Sequence, residues 1–222
     1  MAFDYQPLWL SIRLALVTTI LLLVIGVPLS SFLAFRSFRF KPVVEAIISL
    51  PLVLPPSVLG FYLLVAFSPN NFLGRVLQNN FDLRLIFSFP GLVVGSMIYS
   101  LPFMLHPLQA GFQALPGGLR EASYSLGKSK WQTLLRVLIP NIKPALLTGI
   151  VLTFAHTLGE FGVVLMIGGN VEGKTRVASI AIYDEVESLH FHAAHIYSIV
   201  LLFISFVILL IAYSLNKRLF KS

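Results

Sequence analysis

Leu14-Ala15-Leu16-Val17-Thr18-Thr19-Ile20-Leu21-Leu22-Leu23-Val24-Ile25-Gly26-Val27-Pro28-Leu29-Ser30-Ser31-Phe32-Leu33-Ala34-Phe35 runs without a single charged side chain. A helix needs roughly 20 apolar residues to cross the hydrocarbon core of a bilayer. Lipid-exposed backbone must satisfy its own hydrogen bonds, so only a helix or a closed barrel can span. Barrel strands alternate apolar and polar residues every second position, and this stretch does not. It is also too long for a signal-peptide core and lacks a small-residue cleavage pattern, so it is expected to remain as the first spanning helix.

Four further runs have the same character: Ala46–Phe67, Leu85–Leu119, Pro144–Gly159 and Ile196–Leu215. Pro144–Gly159 reaches spanning length only if Glu160 is buried within the helix and the run continues to about Gly169. Leu85–Leu119 has room for a second, interfacial piece. The expected fold is an all-α polytopic membrane protein of five transmembrane helices, with six elements allowed, forming one domain over residues 1–222.

Composition agrees. The 222 residues are 57% hydrophobic and 11% charged, with mean hydropathy +0.87, whereas a soluble domain carries about 25% charged residues. The chain has no cysteine, which excludes a disulfide framework and a cysteine metal site. Its net charge of +7 resembles a nucleic-acid signal until the charges are placed. Arg36, Arg39 and Lys41 follow helix one. Arg120, Lys128, Lys130, Arg136 and Lys143 lie between helices three and four, and Lys217, Arg218 and Lys221 end the chain. With five alternating helices those basic residues share one side. Arg13, Arg75, Arg84, Lys174 and Arg176 fall on the other, among Asp4, Asp82, Glu172, Asp184, Glu185 and Glu187. The positive-inside rule then places the N-terminus outside and the C-terminus in the cytoplasm.

The outer loops are expected at about Ser68–Arg84 and Gly168–His195. The cytoplasmic segment Leu115–Lys143 is more ordered than a linker. Leu115-Pro116-Gly117-Gly118 breaks the preceding helix, and Glu121 suits the positive end of a new one. Gly127 can end that piece in a left-handed conformation, and Ser129-Lys130-Trp131-Gln132 fits a capping box. Trp131, Leu134, Leu135 and Leu138 fall at i, i+3, i+4 and i+7, predicting one apolar stripe lying against the membrane. Pro140 cannot continue an undisturbed helix.

Glu121-Ala122-Ser123, three residues, Gly127, nine residues, then Val137-Leu138-Ile139-Pro140 resembles the EAA loop of binding-protein-dependent ABC importer permeases. That pattern is Glu-Ala-Ala, three residues, Gly, nine residues, Ile-x-Leu-Pro. Ser123 replaces the third-position alanine, and Val137 and Ile139 are conservative replacements. The resemblance implies a coupling helix in which Glu121, Ala122, Ser123, Gly127 and Pro140 serve docking onto a separate ATPase subunit. Leu50-Pro51-Leu52-Val53-Leu54-Pro55-Pro56, Leu158-Gly159-Glu160-Phe161-Gly162, Gly169-Asn170, Gly173-Lys174-Thr175-Arg176 and Ile182-Tyr183 are similar to stretches of molybdate permeases, and sulfate permeases are close relatives. The resemblance therefore implies a molybdate importer, with tungstate as a further substrate and sulfate or thiosulfate as the alternative. It further implies a permease homodimer, two cytoplasmic ABC ATPase subunits, an extracytoplasmic binding protein and no cofactor.

Pro51, Pro55 and Pro56 break the hydrogen-bond ladder of helix two. A helix restarting near Ser57 would aim free N–H groups at an anion, which makes Pro55, Pro56 and Ser57 candidate pathway residues; a plain packing kink is the simpler alternative. Glu160, an ionisable group at membrane depth, is a further candidate. Gly149, Thr153, His156 and Glu160 would share one helix face, with Glu160 hydrogen-bonded to His156 rather than to an anion it would repel. Those two alone have too few ligands for a metal, and His190, His192 and His195 are expected to be interfacial side chains. Gly168–Thr175 matches the Walker A pattern, but a P-loop needs a strand before it and a helix after it, so the match is taken as accidental. Gly91 and Gly95 form a GxxxG suited to close helix packing.

Two other classes fit poorly. An ion-coupled secondary transporter leaves the Glu121–Pro140 loop without a purpose and needs membrane carboxylates beyond Glu160. An intramembrane enzyme needs paired carboxylates, a His-Glu-x-x-His or a nucleophile elbow, and none is present.

Overall fold

The computed structural model describes residues 4–219, so Lys221 of the basic C-terminal group lies outside the described residues. Among the described residues every regular element is helical. Three helices are long and apolar enough to cross a membrane alone: α1 (Gln6–Phe35), α5 (Phe89–Gln113) and, in the portion Phe191–Ile211, α12 (Phe191–Leu219). The other two expected spans are broken.

The second is α2 (Lys41–Val53) followed by α3 (Pro56–Phe67), which meet at 113°. Leu54 and Pro55 are both extended, with ψ of 137° and 135°, because a residue before proline is driven out of the helical region. The single helix expected over Ala46–Phe67 is thus a sharply bent pair, restarting at Pro56 beside Ser57. The fourth span is α9 (Lys143–Leu158), met at 84° by the helical segment Lys130–Asn141. Glu160 is buried, as expected, but the helix does not run through it. It stops at Leu158 and resumes as α10 (Gly162–Gly168). Glycines at 159 and 162 weaken continuation, and α10 is held close to α3 instead. A Cβ on Gly162 would lie 2.6 Å from Pro56 Cβ.

Both connections expected on the outer side contain helices that sequence reading assigned to loops: α4 (Phe72–Phe81) and α11 (Ala178–Glu187). Helices α1, α5 and α9 pack against one another as the central bundle, α10 fills the gap between α3 and α5, and α12 covers α9 and α11. The GxxxG of α5 is consumed within the chain. A Cβ on Gly95 would meet Ile167 Cδ1 at 2.6 Å, and one on Gly91 the carbonyl of Leu85. Beyond α5, α6 (Gly117–Ser125) leads to α7 (Lys130–Thr133), a π-helical turn (Leu134–Leu138) and α8 (Ile139–Asn141). Leu134, Leu138 and Ile142 enter the same core as Leu22, Val27, Met104, Leu108 and Phe112. That shared core fixes the loop to the bundle.

Candidate functional site

The loop after α5 is shaped by Gly127. Its φ is +73°, a conformation glycine adopts without a Cβ penalty. Gly127 N–H donates to Tyr124 O at 2.9 Å and Lys128 N–H to Ser123 O at 3.2 Å. Those two bonds form a Schellman motif, which satisfies carbonyls that the helix end would leave free. The next helix starts with the expected capping box: Gln132 N–H donates to Ser129 Oγ at 3.2 Å, and Ser129 N–H to Gln132 Oε1 at 3.0 Å. Ser123 departs from the EAA pattern, and its hydroxyl lies 2.9 Å from that of Thr133, with both side chains buried. This contact braces α6 against α7.

Pro140 has a structural reason for the π turn ahead of it. Without an N–H, it cannot bond the carbonyl four residues back, and the register widens so that Ile139 N–H donates to Leu134 O. Asn141 Nδ2 takes up the carbonyl of Val137 at 2.7 Å. The register change also corrects the expected apolar stripe. Leu134 and Leu138 are buried, while Trp131 is 63% and Leu135 59% exposed. Leu126, at 78%, joins them on the open face, along with Glu121 and Ala122. Glu121 sits in the second turn of α6 rather than the first.

Behind this face is a cleft of about 680 Å³ lined by Arg36, Arg120, Tyr124, Lys130 and Trp131, among others. The Arg120 guanidinium lies 4.7 Å from the Phe35 ring centre, within cation–π range. Basic residues from the two loops expected in the cytoplasm thus gather at one end of the bundle. The opposite end carries Arg176, paired with Glu172 at 3.0 Å and Asp184 at 2.6 Å.

The second region is a cavity of about 650 Å³ at the two helix breaks. Pro56, Ser57 and Glu160 line it together, as do Tyr99 and His156, while Pro55 acts from behind as the N-cap of α3. The expected Glu160–His156 pair is absent. With α9 ending at Leu158, Glu160 is no longer one turn along from His156 on a common face. Both carboxyl oxygens of Glu160 are sealed, with the Ser96 side chain as their polar neighbour. His156 Nδ1 instead lies 3.0 Å from Ser100 Oγ, which is 2.9 Å from Thr157 Oγ1. Its ring stacks on Phe103 at 3.9 Å and tilts against Tyr99 at 4.8 Å. Sequence reading missed Tyr99 and Ser100, since neither belongs to a motif.

The remaining sequence candidates are ordinary. Gly168–Thr175 connects α10 to α11, with no strand before it, and the buried Thr175 hydroxyl donates to Gly168 O. His190 lies 3.1 Å from Glu185, and among the described residues no group of three potential metal ligands forms.

A bundle with two broken spans and an ordered loop rooted in its core is the fold of a type I ABC importer transmembrane subunit. Two solved importers share it. The chain aligns with a bacterial importer of the acidic polysaccharide alginate at TM-score 0.78 and 16% identity, covering 96% of this chain and 78% of that one. It aligns with the inward-facing MetNI methionine transporter at TM-score 0.69 and 19% identity, covering 96% and 94%.

Residues 26–221 match the binding-protein-dependent transport system inner membrane component family, and the chain belongs to that family. It is 43% identical to the molybdenum transport system permease ModB of Azotobacter vinelandii, over 99% of this chain and 96% of the relative. It is 33% identical to a putative molybdenum permease, YvgM, of Bacillus subtilis over 92% and 90%. The sulfate permease CysT of Escherichia coli is 32% identical over 88% and 70%. The protein is therefore the permease subunit of an ABC importer, a class that is not itself enzymatic.

Proposed function

We propose that this permease imports molybdate, with tungstate as a second substrate, using ATP hydrolysed by a separate subunit. The observation that carries the reading is the 43% identity to a molybdenum permease over nearly the whole chain. It exceeds the 32% to a sulfate permease over a smaller share. The working unit is a homodimer of this single-domain chain with two cytoplasmic ATPase subunits and an extracytoplasmic molybdate-binding protein. Its N-terminus faces outside and its C-terminus the cytoplasm.

Glu121, Ala122 and the exposed Leu126, Trp131 and Leu135 form the surface that meets the ATPase. Exposed large apolar side chains at a polar end of a membrane protein suit a protein partner. Ser123, Gly127 and Pro140 act by shape: a brace, a left-handed turn and a register change. The cavity with Pro56, Ser57 and Glu160 lies on the translocation pathway, with Pro55 setting the break that opens it. Broken helices at membrane depth recur where cavities are lined.

Molybdate and sulfate are both tetrahedral dianions, so size and hydrogen-bond geometry must separate them. The test is uptake of labelled molybdate into vesicles containing permease, ATPase and binding protein, with each unlabelled anion added in turn. Tungstate should compete comparably and sulfate poorly. Strong competition by sulfate with none by tungstate would move the protein to the sulfate branch, the second reading that the CysT similarity supports.

A further inference from the structure

We infer that His156, with Tyr99 and Ser57, forms a cation-free oxyanion contact in the pathway cavity, in which the imidazole Nε2–H is the principal donor. The inference rests on the oxyanion-importer reading and gives that cavity its chemistry. No lysine or arginine lines the cavity, so a passing dianion meets hydrogen-bond donors rather than full positive charges. Such contacts suit conduction, since a site must bind well enough to admit an ion and weakly enough to release it.

Three donors are available there. The ring of His156 is clamped between Phe103 and Tyr99. Its Nδ1 is engaged by Ser100, whose oxygen is engaged in turn by Thr157. Running that chain as Thr157 to Ser100 to Nδ1 lets each hydroxyl donate once and puts the ring proton on Nε2, because the partner of one imidazole nitrogen sets the state of the other. Nε2 has no partner among the described residues and is not sealed from open space. The Tyr99 and Ser57 hydroxyls are likewise neither bonded nor sealed. Ser57 adds the backbone N–H of the first turn of α3, where Pro56 has none to give.

The placement of Glu160 fits this assignment. Its carboxyl oxygens are closed off from open space, so the one acidic group of the cavity wall does not touch the anion directly. Its backbone is anchored by Ser179, whose hydroxyl donates to Glu160 O at 2.6 Å, which holds the chain in that orientation.

Substitutions at His156 separate contact from packing. His156→Gln places an amide donor near the position of Nε2, whereas His156→Asn reaches only that of Nδ1, keeping the Ser100 bond and emptying the cavity. In the reconstituted complex of permease, ATPase and binding protein, His156→Gln should keep uptake within about threefold of the parent. His156→Asn should lower maximal uptake roughly tenfold or more, the loss expected when a donor to a charged group is removed. Recovery of the ATPase subunit on the purified permease controls for assembly in both. Tyr99→Phe removes only a hydroxyl and should lower uptake in the same sense.

Equal uptake by His156→Asn, Tyr99→Phe and the parent would overturn the inference. So would a loss in His156→Gln as large as in His156→Asn. Should the histidine variants fail to assemble, Tyr99→Phe decides alone, and full uptake by it refutes the contact. The variants are compared on whichever oxyanion the parent complex moves, so a sulfate result would revise the substrate without touching this test.

Discussion

Replacing Gly127 with valine isolates the contribution of one backbone conformation to coupling. A Cβ built on Gly127 meets nothing within 4 Å, so the substitution introduces no clash with a neighbour. The whole penalty comes from the φ of +73°, which costs an L-residue about 1–2 kcal/mol, and a β-branched residue falls at the upper end. The loop cannot relax freely, because the Ser123–Thr133 contact and the capping box hold the two sides of the turn. It must either carry the strain or give up the bonds from Gly127 N–H and Lys128 N–H, each worth about 0.5–1.5 kcal/mol. A cost of 1–2 kcal/mol changes a conformational ratio roughly 5–30-fold. Gly127→Val should therefore deplete the docking-competent loop by that factor while membrane insertion proceeds normally. Gly127→Asn should be milder, since asparagine tolerates the left-handed region. The assay is molybdate taken up per ATP hydrolysed, together with recovery of the ATPase subunit on the purified permease. Valine should lower one or both well below asparagine. Valine, asparagine and glycine giving the same ratio and the same recovery would refute the role of this turn in coupling.

Two further predictions concern the brace and the topology. Ser123→Ala or Thr133→Val alone should destabilise the loop by about 1–3 kcal/mol, because each leaves a buried hydroxyl unpaired, whereas the double variant should recover most of the loss; additive losses in thermal unfolding of the complex would count against the brace. A reporter fused at the C-terminal end should be active in the cytoplasm and one inserted within Gly168–His195 only outside; the reverse pattern would put the loop bearing Glu121 and Gly127 on the side without ATP.

What could be read from sequence was whatever depends on local chemistry. The Gly127 turn, the Ser129–Gln132 box and the restart at Pro56 each follow from a few adjacent residues, and all three are present. Readings that assumed an unbroken helical period failed where the period breaks. His156 and Glu160 are one turn apart only on a continuous helix, and α9 ends between them. Trp131, Leu134, Leu135 and Leu138 make one stripe only at 3.6 residues per turn, and a π turn occupies that stretch. The partner of His156 was out of reach for another reason: Ser100 is 56 residues away, and serine in a membrane helix marks nothing by itself.

The structure also ties the ordered loop to the cavity. Leu134 and Leu138 are set in a core with Met104 and Leu108 of α5. Met104 in turn lies against Gly149 of α9, where an added Cβ would sit 3.2 Å from the Met104 sulfur. Two turns further along α9 is His156, bonded back to α5 through Ser100. The loop and the cavity are thus linked by α5 and α9, two helices locked to each other by close packing at one point and by hydrogen bonds at the other. Packed interiors resist continuous deformation, so a displacement imposed at Leu134 and Leu138 moves this pair as a unit. The helix breaks at Leu54-Pro55 and Gly159-Glu160-Phe161 lie outside that locked pair and adjoin the cavity.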